Sequence, residues 1–448
     1  MLVSAQTKAI VVAAEEINKE GGGSPITGFP LKMVMRDLIK ELIVEDGKYI
    51  FNGNTFDIFK VNDENEYQDY LKGNDENVRT EHYIKPNTLC KVTLNISNTC
   101  NLNCKYCYAN AGKYSTDRTE LMNETTVDKI MYELKRRGIS SIETLSLFGG
   151  EPFLNWNTIK YSIERFCSNF EIESIEIISN GWFVDNEKLE FLKRYNVKIV
   201  ISVDGPEDIT DCLRGKGTYK QVVRVFDEAN KSGYNNISAS ATYTGYHEKY
   251  GYSYADVDNY FAMKKINATV SRVISSEKSM LPNLRRTDTE IEEEINNSAL
   301  KIYHNDHSGS LNPYLIRVME SLCFDARNLN YCDDLDARRT ISFDYNGELY
   351  NCIHFYGDCK YKLTKNECCN DIIKEYNDKS RNELCSKCWA KYLCRICTAA
   401  LIQNSFSIEY IDGECSDCKM YERALRCIMK YIIEGKKELF ENFVKYFI

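Results

Sequence analysis

Cysteine is the residue type whose number and spacing in this 448-residue chain point most directly to chemistry. Of the 19 cysteines, three (Cys100, Cys104 and Cys107) fall within eight residues, and thirteen lie between Cys323 and Cys427. A disulfide-stabilised protein is typically short and contains roughly 8–10% cysteine. Clustered thiols in a long chain of lower cysteine content are instead typical of ligands to a metal or an iron–sulfur cluster.

The first group reads Cys100-x3-Cys104-x2-Cys107, so three thiolates of one loop can bind a single metal centre. A four-iron cluster normally takes four thiolates. With three thiolates, one iron keeps an open position, just as a catalytic zinc keeps one for water or substrate. The alternatives are a zinc knuckle that lacks its fourth ligand and cysteines that serve packing alone. No histidine or fourth cysteine follows nearby in the sequence.

Short apolar segments alternate with amphipathic helical patterns from about residue 90, and the cysteine loop directly follows the first segment. The predicted strands are Lys91–Ile96, Glu143–Phe148, Ser174–Ser179, Lys198–Val203, Ile237–Tyr243 and Ala268–Ile274. The predicted helices are Glu124–Arg137, Asn157–Asn169, Asn186–Tyr195, Tyr219–Ser232 and Tyr254–Met263. Repeated βα units predict an α/β fold with parallel strands, in a doubly wound sheet or in a full or partial barrel. Both arrangements gather chemistry in the loops after the strands, and six units are too few for a closed barrel of eight strands.

Composition limits the class of protein. The chain is 43% apolar and 27% charged with a formal net charge of −9, which is typical of a folded protein and unfavourable for binding nucleic-acid phosphates. At roughly 150 residues per domain, the length indicates two to four domains. No apolar run approaches the roughly 18 residues of a membrane span, and no secretory signal pattern opens the chain. We therefore expect a cytoplasmic protein that binds neither nucleic acid nor membrane.

The first 85 residues differ from the βα repeat that follows. A helix is predicted over Ala9–Lys19, followed by a glycine-rich break at Gly21–Gly23. A hairpin of Lys48–Asn52 and Thr55–Val61 and a helix near Glu64–Leu71 are predicted after it. The polar stretch 72–79 is interpreted as a linker. The chain is accordingly divided into residues 1–85, 86–305 and 306–448. The acidic segment Asp288–His304 is predicted to be a surface helix that closes the middle domain.

The triple-cysteine loop resembles that of the radical S-adenosylmethionine (SAM) enzymes, in which an aromatic residue precedes the third cysteine, as Tyr106 does here. The resemblance implies a partial (β/α)6 TIM-like barrel. It also implies a 4Fe–4S cluster on the three cysteines, whose open iron binds the amino and carboxylate groups of SAM. Reductive cleavage of SAM to a 5′-deoxyadenosyl radical, which abstracts hydrogen from the substrate, would use an electron donor such as flavodoxin or ferredoxin.

Further positions at the predicted strand ends resemble the SAM-binding sites of this family. They are Gly149, Gly150, Glu151, Ser179, Asn180, Ser202, Asp204 and Arg214. The first three match the GGEP motif that binds the SAM amino group, where glycine permits close approach of a ligand. The next two match a ribose- or carboxylate-contacting position, and the last three a position where an arginine often binds the SAM carboxylate. For those last three, an ordinary strand-end cap or turn is the alternative.

The cysteines of the C-terminal third resemble the SPASM extension of radical SAM peptide maturases, which binds two auxiliary 4Fe–4S clusters. The implied ligands of the first are Cys332, Cys352 and Cys397, with Cys323 as a candidate fourth. The implied ligands of the second are Cys385, Cys388 and Cys394, completed by Cys415 or Cys418, of which Cys418 is favoured. The family has Cys-x3-Cys where this chain has Cys394-x2-Cys397. Without Cys323, the first auxiliary cluster would keep an iron free for a substrate thiolate. Two Cys-x2-Cys pairs also suit a structural zinc site.

Residues 341–357 and 385–394 resemble most the thioether-forming maturases of the ranthipeptide and sactipeptide group. The resemblance implies a precursor peptide with a leader and a cysteine-containing core as the substrate. It also implies a winged-helix-like, leader-binding module within residues 1–85, where an edge strand could pair with the leader. The alternatives are another SPASM peptide modification (a carbon–carbon cross-link, epimerisation or sulfatase-type maturation) and a zinc- or cluster-stabilised binding protein without SAM chemistry. His354 is a candidate substrate contact, although a structural role is commoner for a lone histidine.

Overall fold

The computed structural model of the chain describes residues 39–44, 47–53, 55–61, 86–116, 118–273, 275, 277, 279–282, 288–306, 309–324, 330–364, 369–403, 410–411 and 414–447. The two helices, the glycine break and the linker expected in the first 85 residues lie outside this part of the chain. The described residues form a central sheet, a small N-terminal sheet and a group of C-terminal helices.

The strands are β1 (Ile39–Val44), β2 (Gly47–Asn52), β3 (Ile58–Val61), β4 (Thr88–Ser97), β5 (Ser141–Gly149), β6 (Glu171–Ser179), β7 (Lys198–Ser202), β8 (Ile237–Tyr243), β9 (Ala268–Arg272), β10 (Thr340–Phe343), β11 (Leu349–Tyr350), β12 (Tyr410–Ile411) and β13 (Glu414–Cys415). The order across the central sheet is β11-β10-β4-β5-β6-β7-β8-β9. Strands β4 to β9 are parallel neighbours in chain order. The six predicted strands are therefore confirmed. Because their order in the sheet follows the chain without reversing direction, they form a segment of a barrel and not a doubly wound sheet.

The helices are α1 (Glu124–Arg136), α2 (Trp156–Cys167), α3 (Asn186–Arg194), α4 (Glu207–Arg214), α5 (Thr218–Ser232), α6 (Gly245–Lys249), α7 (Tyr254–Met263), α8 (Asp288–Tyr303), α9 (Pro313–Phe324), α10 (Asp371–Asn377), α11 (Glu383–Ser386), α12 (Thr398–Ile402), α13 (Ser416–Ile433) and α14 (Glu438–Phe447). The five predicted helices are confirmed as α1, α2, α3, α5 and α7, whereas α4 and α6 were not predicted. Among these described helices, none combines the length and the apolar character that a membrane span requires.

Helix α1 shows how the crossover helices form and pack. The Asn123 side chain accepts a hydrogen bond from Thr126 N–H (2.9 Å) and so caps the first turn. Val127, Ile130 and Leu134 recur at three- and four-residue spacing and are buried in the main core, against the strands of the central sheet. This spacing places the apolar residues on one face of the helix, so the same pattern that predicts α1 also fixes the face that packs.

A strand from the C-terminal third extends the central sheet. Strand β10 lies parallel to β4 in a register that runs from Thr340 opposite Lys91 to Phe343 opposite Leu94. Strand β11 then pairs antiparallel with β10. Residues of the predicted C-terminal domain are thus part of the sheet of the middle domain.

The described N-terminal strands pack on the C-terminal helices. The predicted hairpin is confirmed as β2 and β3, and the unpredicted β1 pairs antiparallel with β2. Leu42 and Phe51 share an apolar cluster, here called the helical cluster, with residues of α8, α9, α13 and α14. The Phe51 ring meets the edge of Trp389 at 6.0 Å between centroids, and Lys40 pairs with Glu422 at 2.7 Å.

Helix α8 is the acidic helix that the sequence predicts. Glu292 and Glu293 are exposed, as expected for a charged surface face. Its opposite face, with Ile295 and Ala299, is buried in the helical cluster. The helix therefore packs with the C-terminal helices.

Replacing Phe343 by Ala should destabilise the central sheet, because Phe343 is 1% exposed and lies in the main core. A large-to-small substitution of this kind costs about 3–5 kcal/mol. We expect the midpoint of urea unfolding of the metal-free protein, followed by far-UV circular dichroism, to fall accordingly. Tyr132→Ala on α1 is the matched control, since Tyr132 is 70% exposed and should change stability by no more than about 0.5 kcal/mol. Equal midpoints for the two variants would show that β10 does not pack in this sheet.

Candidate active site

The loop after β4 carries the cysteines of the first motif and is anchored at both ends by Asn98. The Asn98 side-chain amide donates to Thr116 Oγ1 (3.0 Å) and to the carbonyl of Arg118 (2.8 Å). Its backbone N–H donates to the carbonyl of Glu120 (2.8 Å). The described part of this loop contains turns and no helix. Hydrogen bonds of this kind therefore stabilise its conformation.

Two consecutive glycines at the end of β5 pack directly on the cysteine loop. Gly150 N–H donates to the carbonyl of Ser97 (2.8 Å), and Glu151 N–H donates to that of Thr99 (2.9 Å). A Cβ atom would lie 2.4 Å from the Ser97 oxygen at Gly149 and 2.3 Å from the Thr99 oxygen at Gly150. Both positions therefore need glycine, as predicted, and the atoms they approach in this structure belong to the end of β4 and to the cysteine loop.

The carboxylate of Glu151 is fully buried between the ends of β5 and β6. Its Oε1 accepts hydrogen bonds from Ser179 Oγ (2.9 Å) and Phe153 N–H (3.0 Å), and its Oε2 accepts one from Asn180 N–H (2.8 Å). Burial raises the pKa of Glu151 to about 7, although the three hydrogen bonds favour the charged form. The residues predicted from the GGEP motif and from the end of the third βα strand thus form one connected group.

The carboxylate of Asp204 joins the cysteine loop to the ends of β7 and β8. The Tyr106 hydroxyl donates to both carboxylate oxygens (2.9 and 2.8 Å). Arg214 Nε and Nη2 donate to Oδ2 (2.8 Å) and Oδ1 (3.0 Å), and Thr242 N–H donates to Oδ1 (2.9 Å). Asp204 and Arg214 are both buried, and the guanidinium lies 5.4 Å from the centroid of the Tyr106 ring. The motif aromatic is therefore fixed by the two charged residues that the sequence predicts at the next strand end.

Ser202, the other residue predicted at that strand end, is the last residue of β7 and pairs with Ser240 of β8 in the sheet. No side-chain contact recorded among the described residues joins it to the cysteine loop. This position fits the ordinary strand-end alternative.

His247 forms a hydrogen bond with the backbone of Asp204 and was not predicted from the sequence. It is fully buried, and its Nε2 donates to the backbone carbonyl of Asp204 (2.8 Å). Its Nδ1 accepts from Thr244 N–H (3.0 Å). Burial lowers the pKa of His247, which favours this neutral tautomer. The available sequence signal was the Thr244-x2-His247 spacing of a helix start.

The thiols of the first motif have surroundings that fit a bound cluster. Burial raises the pKa of Cys100 to about 12 and that of Cys104 to about 11. Free thiols with these pKa values stay protonated at neutral pH, whereas metal coordination deprotonates a thiol outright. Cys100 Sγ accepts hydrogen bonds from Leu102 N–H (3.4 Å) and Asn180 Nδ2 (3.7 Å). Donors of this kind are what a ligating thiolate requires, so the residues fit a 4Fe–4S cluster.

A second thiol group consists of Cys332, Cys352 and Cys397. The pKa of Cys332 and of Cys352 is raised to about 12, first by burial and also by the charges of neighbouring thiols in this group. The carboxylate of Asp334, which was not among the predicted residues, also raises the pKa of both thiols, and Asp334 N–H donates to Cys332. The structure thus brings together three of the ligands predicted for the first auxiliary cluster.

These three cysteines pack around the aromatic cluster, whose buried members are Ala109, Tyr114, Leu335, Tyr350, Phe355, Tyr356, Tyr361, Ile373 and Ala399. Cys107 of the first motif packs on the same cluster. Cys323 instead lies on α9, fully buried in the helical cluster. The structure therefore groups Cys323 with the helical core, and its role as a fourth ligand stays a prediction.

Tyr108 and His354 form a ring contact between the first motif and the second thiol group. Tyr108 directly follows Cys107, and His354 lies two residues after Cys352. Their ring centroids are 4.3 Å apart, and the Tyr108 ring also meets Tyr114 edge-on at 6.1 Å. Burial lowers the pKa of His354, so its ring is neutral at pH 7.

A third thiol group lines one cavity on the side of the N-terminal strands. Its members are Cys385, Cys388, Cys394, Cys415 and Cys418. The sulfurs of Cys388 and Cys418 are 3.3 Å apart, and the hydrogen bond with Cys418 lowers the pKa of Cys415 to about 7. The cavity contains all five predicted ligands, so both candidates for the last position are close to the other three.

Among the described residues, no three His, Cys, Asp or Glu side chains are arranged to hold a single metal ion. The second and third thiol groups are thus defined by the apolar cluster or the cavity that their members share.

Residues 94–252 match the model of the Radical SAM superfamily. This part of the chain is therefore similar to the radical SAM superfamily. The match begins within β4 and includes the cysteine loop, the paired glycines, Glu151 and the Asp204–Arg214 pair. The radical SAM residues expected from the sequence therefore lie in one matched region, at the carboxyl ends of consecutive strands.

Two curated relatives match parts of the chain. The radical SAM cyclopropyl synthase TigE of Paramaledivibacter caminithermalis is 27% identical over 231 residues, which are 47% of this chain and 45% of that protein. The sporulation killing factor maturation protein SkfB of Bacillus subtilis is 34% identical over 143 residues, which are 31% of this chain and 33% of that protein. The matched stretches thus span less than half the length of either relative.

A solved structure described as native anSMEcpe with bound AdoMet aligns with 78% of this chain and 99% of its own, with a TM-score of 0.58 and 17% identity. This likeness extends well beyond the radical SAM domain and shows that the two proteins share a fold.

Replacing Glu151 by Gln should change how the stability of the metal-free protein depends on pH. The pKa of Glu151 is raised in the folded state to about 7 from an ordinary value of 4.5, so the folded protein binds this proton more tightly than the unfolded chain. The resulting stability is fully present below pH 4.5 and is lost as the pH rises through 7, to a total of about 3 kcal/mol. Gln cannot ionise, so urea midpoints between pH 5 and 8 should fall less steeply for the variant. Parallel curves for the two proteins would contradict the burial of an ionisable Glu151.

Proposed function

We propose that this chain is a radical SAM peptide maturase, which cleaves SAM reductively and abstracts hydrogen from a precursor peptide. The observation that supports this most is the contact of the cysteine loop with two buried polar groups, Glu151–Ser179–Asn180 and Tyr106–Asp204–Arg214. Both lie at the carboxyl ends of parallel strands, where α/β proteins bind their ligands.

The two polar groups can bind the two ends of the amino acid part of SAM. A 4Fe–4S cluster on Cys100, Cys104 and Cys107 supplies, when bound, the electron that cleaves SAM. We assign Glu151 as the acceptor for the SAM amino group. Arg214 uses Nε and Nη2 for Asp204, and we assign its Nη1 to the SAM carboxylate, since the paired Asp204 holds the guanidinium plane in place. Ser179 and Asn180 are assigned to the ribose or carboxylate.

We assign Cys332, Cys352 and Cys397 to a first auxiliary cluster and the five-thiol cavity to a second. Because Tyr108 and His354 lie between the first motif and Cys352, we place the reacting part of the peptide beside this ring pair. With three cysteines in the second thiol group, an iron is left that a peptide thiolate can bind. We propose that an electron donor such as flavodoxin or ferredoxin reduces the enzyme in the cytoplasm.

The peptide substrate is supported by the relatives. SkfB is named as a maturation protein for a killing factor, and anSMEcpe has also been solved with AdoMet and a peptide. We propose that the leader of the precursor binds the N-terminal sheet as an added strand. The side of β1 is partly closed, because Arg426 donates to the carbonyl of Ile43. Strand β3 is therefore the edge that we assign to the leader.

Thioether formation is the reaction that we favour, and a carbon–carbon link is the second candidate because TigE is named a cyclopropyl synthase. Both reactions remove two hydrogen atoms from the peptide, so mass alone does not separate them. A thioether consumes a cysteine thiol, whereas a cyclopropane leaves it free. Alkylation of the product with iodoacetamide therefore distinguishes the two reactions. Loss of one alkylation site supports the thioether, and unchanged alkylation supports the carbon–carbon link.

Replacing Cys100, Cys104 and Cys107 together by Ala should abolish formation of 5′-deoxyadenosine from SAM and dithionite. Iron bound after anaerobic reconstitution should fall from about twelve to about eight per chain, because the auxiliary clusters keep their ligands. The measurements are chromatography of the nucleoside and a colorimetric iron assay.

The matched control replaces Cys90, Cys167 and Cys359, which are outside the three thiol groups and partly or fully exposed. It should keep both the iron and the cleavage activity. SAM cleavage retained by the first variant, or zinc as the metal bound by the unmodified protein, would refute the proposed function.

A further inference from the structure

Lys379 is a lysine buried beside the five-thiol cavity. It is 1% exposed, and lysine is almost never buried to this extent unless its charge is paired. Its ammonium group donates hydrogen bonds to the carbonyls of Lys391 (2.6 Å) and Cys394 (2.7 Å). The two carbonyls belong to the segment between Cys388 and Cys397, so the ammonium fixes the backbone that carries three of the assigned ligands.

The same ammonium acts electrostatically on the thiols of the cavity. Lys379 lines the cavity together with the five cysteines. Its ammonium group is hydrogen-bonded to the backbone carbonyl of Cys394, one of these five cysteines. A fixed positive charge therefore faces the sulfurs that would become thiolates.

Other lysines of the cavity are placed differently. Lys40, Lys391 and Lys419 also line it, but each is only partly buried. Solvent screens a partly exposed charge much more than a buried one. Lys379 is therefore the cavity lysine whose charge acts most strongly on a group bound there.

We propose that Lys379 is a positioning residue that holds the Cys388–Cys397 segment and raises the reduction potential of the auxiliary cluster bound by the five-thiol cavity. The physical reason is that reduction adds one negative charge to a cluster already surrounded by thiolates, and a buried cation stabilises that added charge. This inference rests on the proposed function in one respect, namely that the cavity binds an iron–sulfur cluster.

The experiment compares full-length proteins in the Cys100/Cys104/Cys107→Ala background, so that only auxiliary clusters contribute. Lys379→Gln removes the charge and keeps an amide that can donate to both carbonyls, whereas Lys379→Arg keeps the charge. Lys391→Gln is the matched control for loss of a less buried charge from the same cavity. After anaerobic reconstitution, iron content is measured and reduction potentials are determined by redox titration followed by electron paramagnetic resonance. A Cys385/Cys388→Ala variant shows which signal belongs to the cavity.

We expect the cavity signal of Lys379→Gln to titrate at a more negative potential, with Lys379→Arg and Lys391→Gln close to the parent protein. If Lys379→Gln fails to bind the cavity cluster while Lys379→Arg still binds it, the result would equally show that the cavity needs the positive charge. An unchanged potential in Lys379→Gln, or failure of Lys379→Arg to load, would overturn the role of the charge. If Cys385/Cys388→Ala removes neither iron nor a signal from the parent protein, the proposed auxiliary cluster itself is refuted.

Discussion

The buried carboxylate of Asp204 is the interaction on which the geometry of the candidate active site depends. A charge at zero exposure is tolerated only when its partners remain, and removing one partner of such a pair typically costs about 3–5 kcal/mol. Asp204 meets this condition through Arg214, the Thr242 backbone and the hydroxyl of Tyr106. Tyr106 lies between the second and third cysteines of the motif, so the charge at the end of β7 also fixes the loop after β4.

The opposite side of the same loop is held by backbone contacts that only glycine permits. Gly149 and Gly150 approach Ser97 and Thr99 so closely that any side chain would collide with main-chain oxygen. Glu151 follows directly and is turned into the site by this contact. A rigid charge pair on one side and a close backbone contact on the other thus define where the three cysteines lie, although the loop has little regular structure of its own.

The C-terminal third is attached to this arrangement through the sheet. Because β10 continues the sheet beside β4, the segment after β11, which carries Cys352 and His354, packs against the cysteine loop. The third thiol group lies elsewhere, next to Trp389 and the N-terminal strands. The second and third thiol groups therefore lie in different parts of the structure. The second thiol group packs on the aromatic cluster together with Cys107. The third thiol group lies next to the N-terminal sheet, which we assign to the leader.

Local patterns in the sequence predicted the six parallel strands, the five crossover helices and the grouping of Cys100, Cys104 and Cys107, whereas the resemblance to known families implied the glycines at 149 and 150 and the other thiol ligands. These features are encoded within short windows, by alternation of apolar residues or by fixed spacing. Strands β10 and β11 were missed because they have four and two residues, and their partners are distant in sequence. The pairing of Tyr106 with Asp204 and the burial of Lys379 were missed for the same reason. Each depends on which segments the fold brings together, and a lone tyrosine or lysine gives no sign of its partner.

The proposed SAM site is tested most directly by electron–nuclear double resonance on anaerobically reconstituted, dithionite-reduced protein. The protein is mixed with SAM labelled with nitrogen-15 in its amino group and oxygen-17 in its carboxylate. We expect magnetic coupling of both labels to an iron of the first cluster, and loss of the coupling when Cys100, Cys104 and Cys107 are replaced. Spectra that do not respond to labelled SAM, with every iron of that cluster bound by a protein atom, would contradict it.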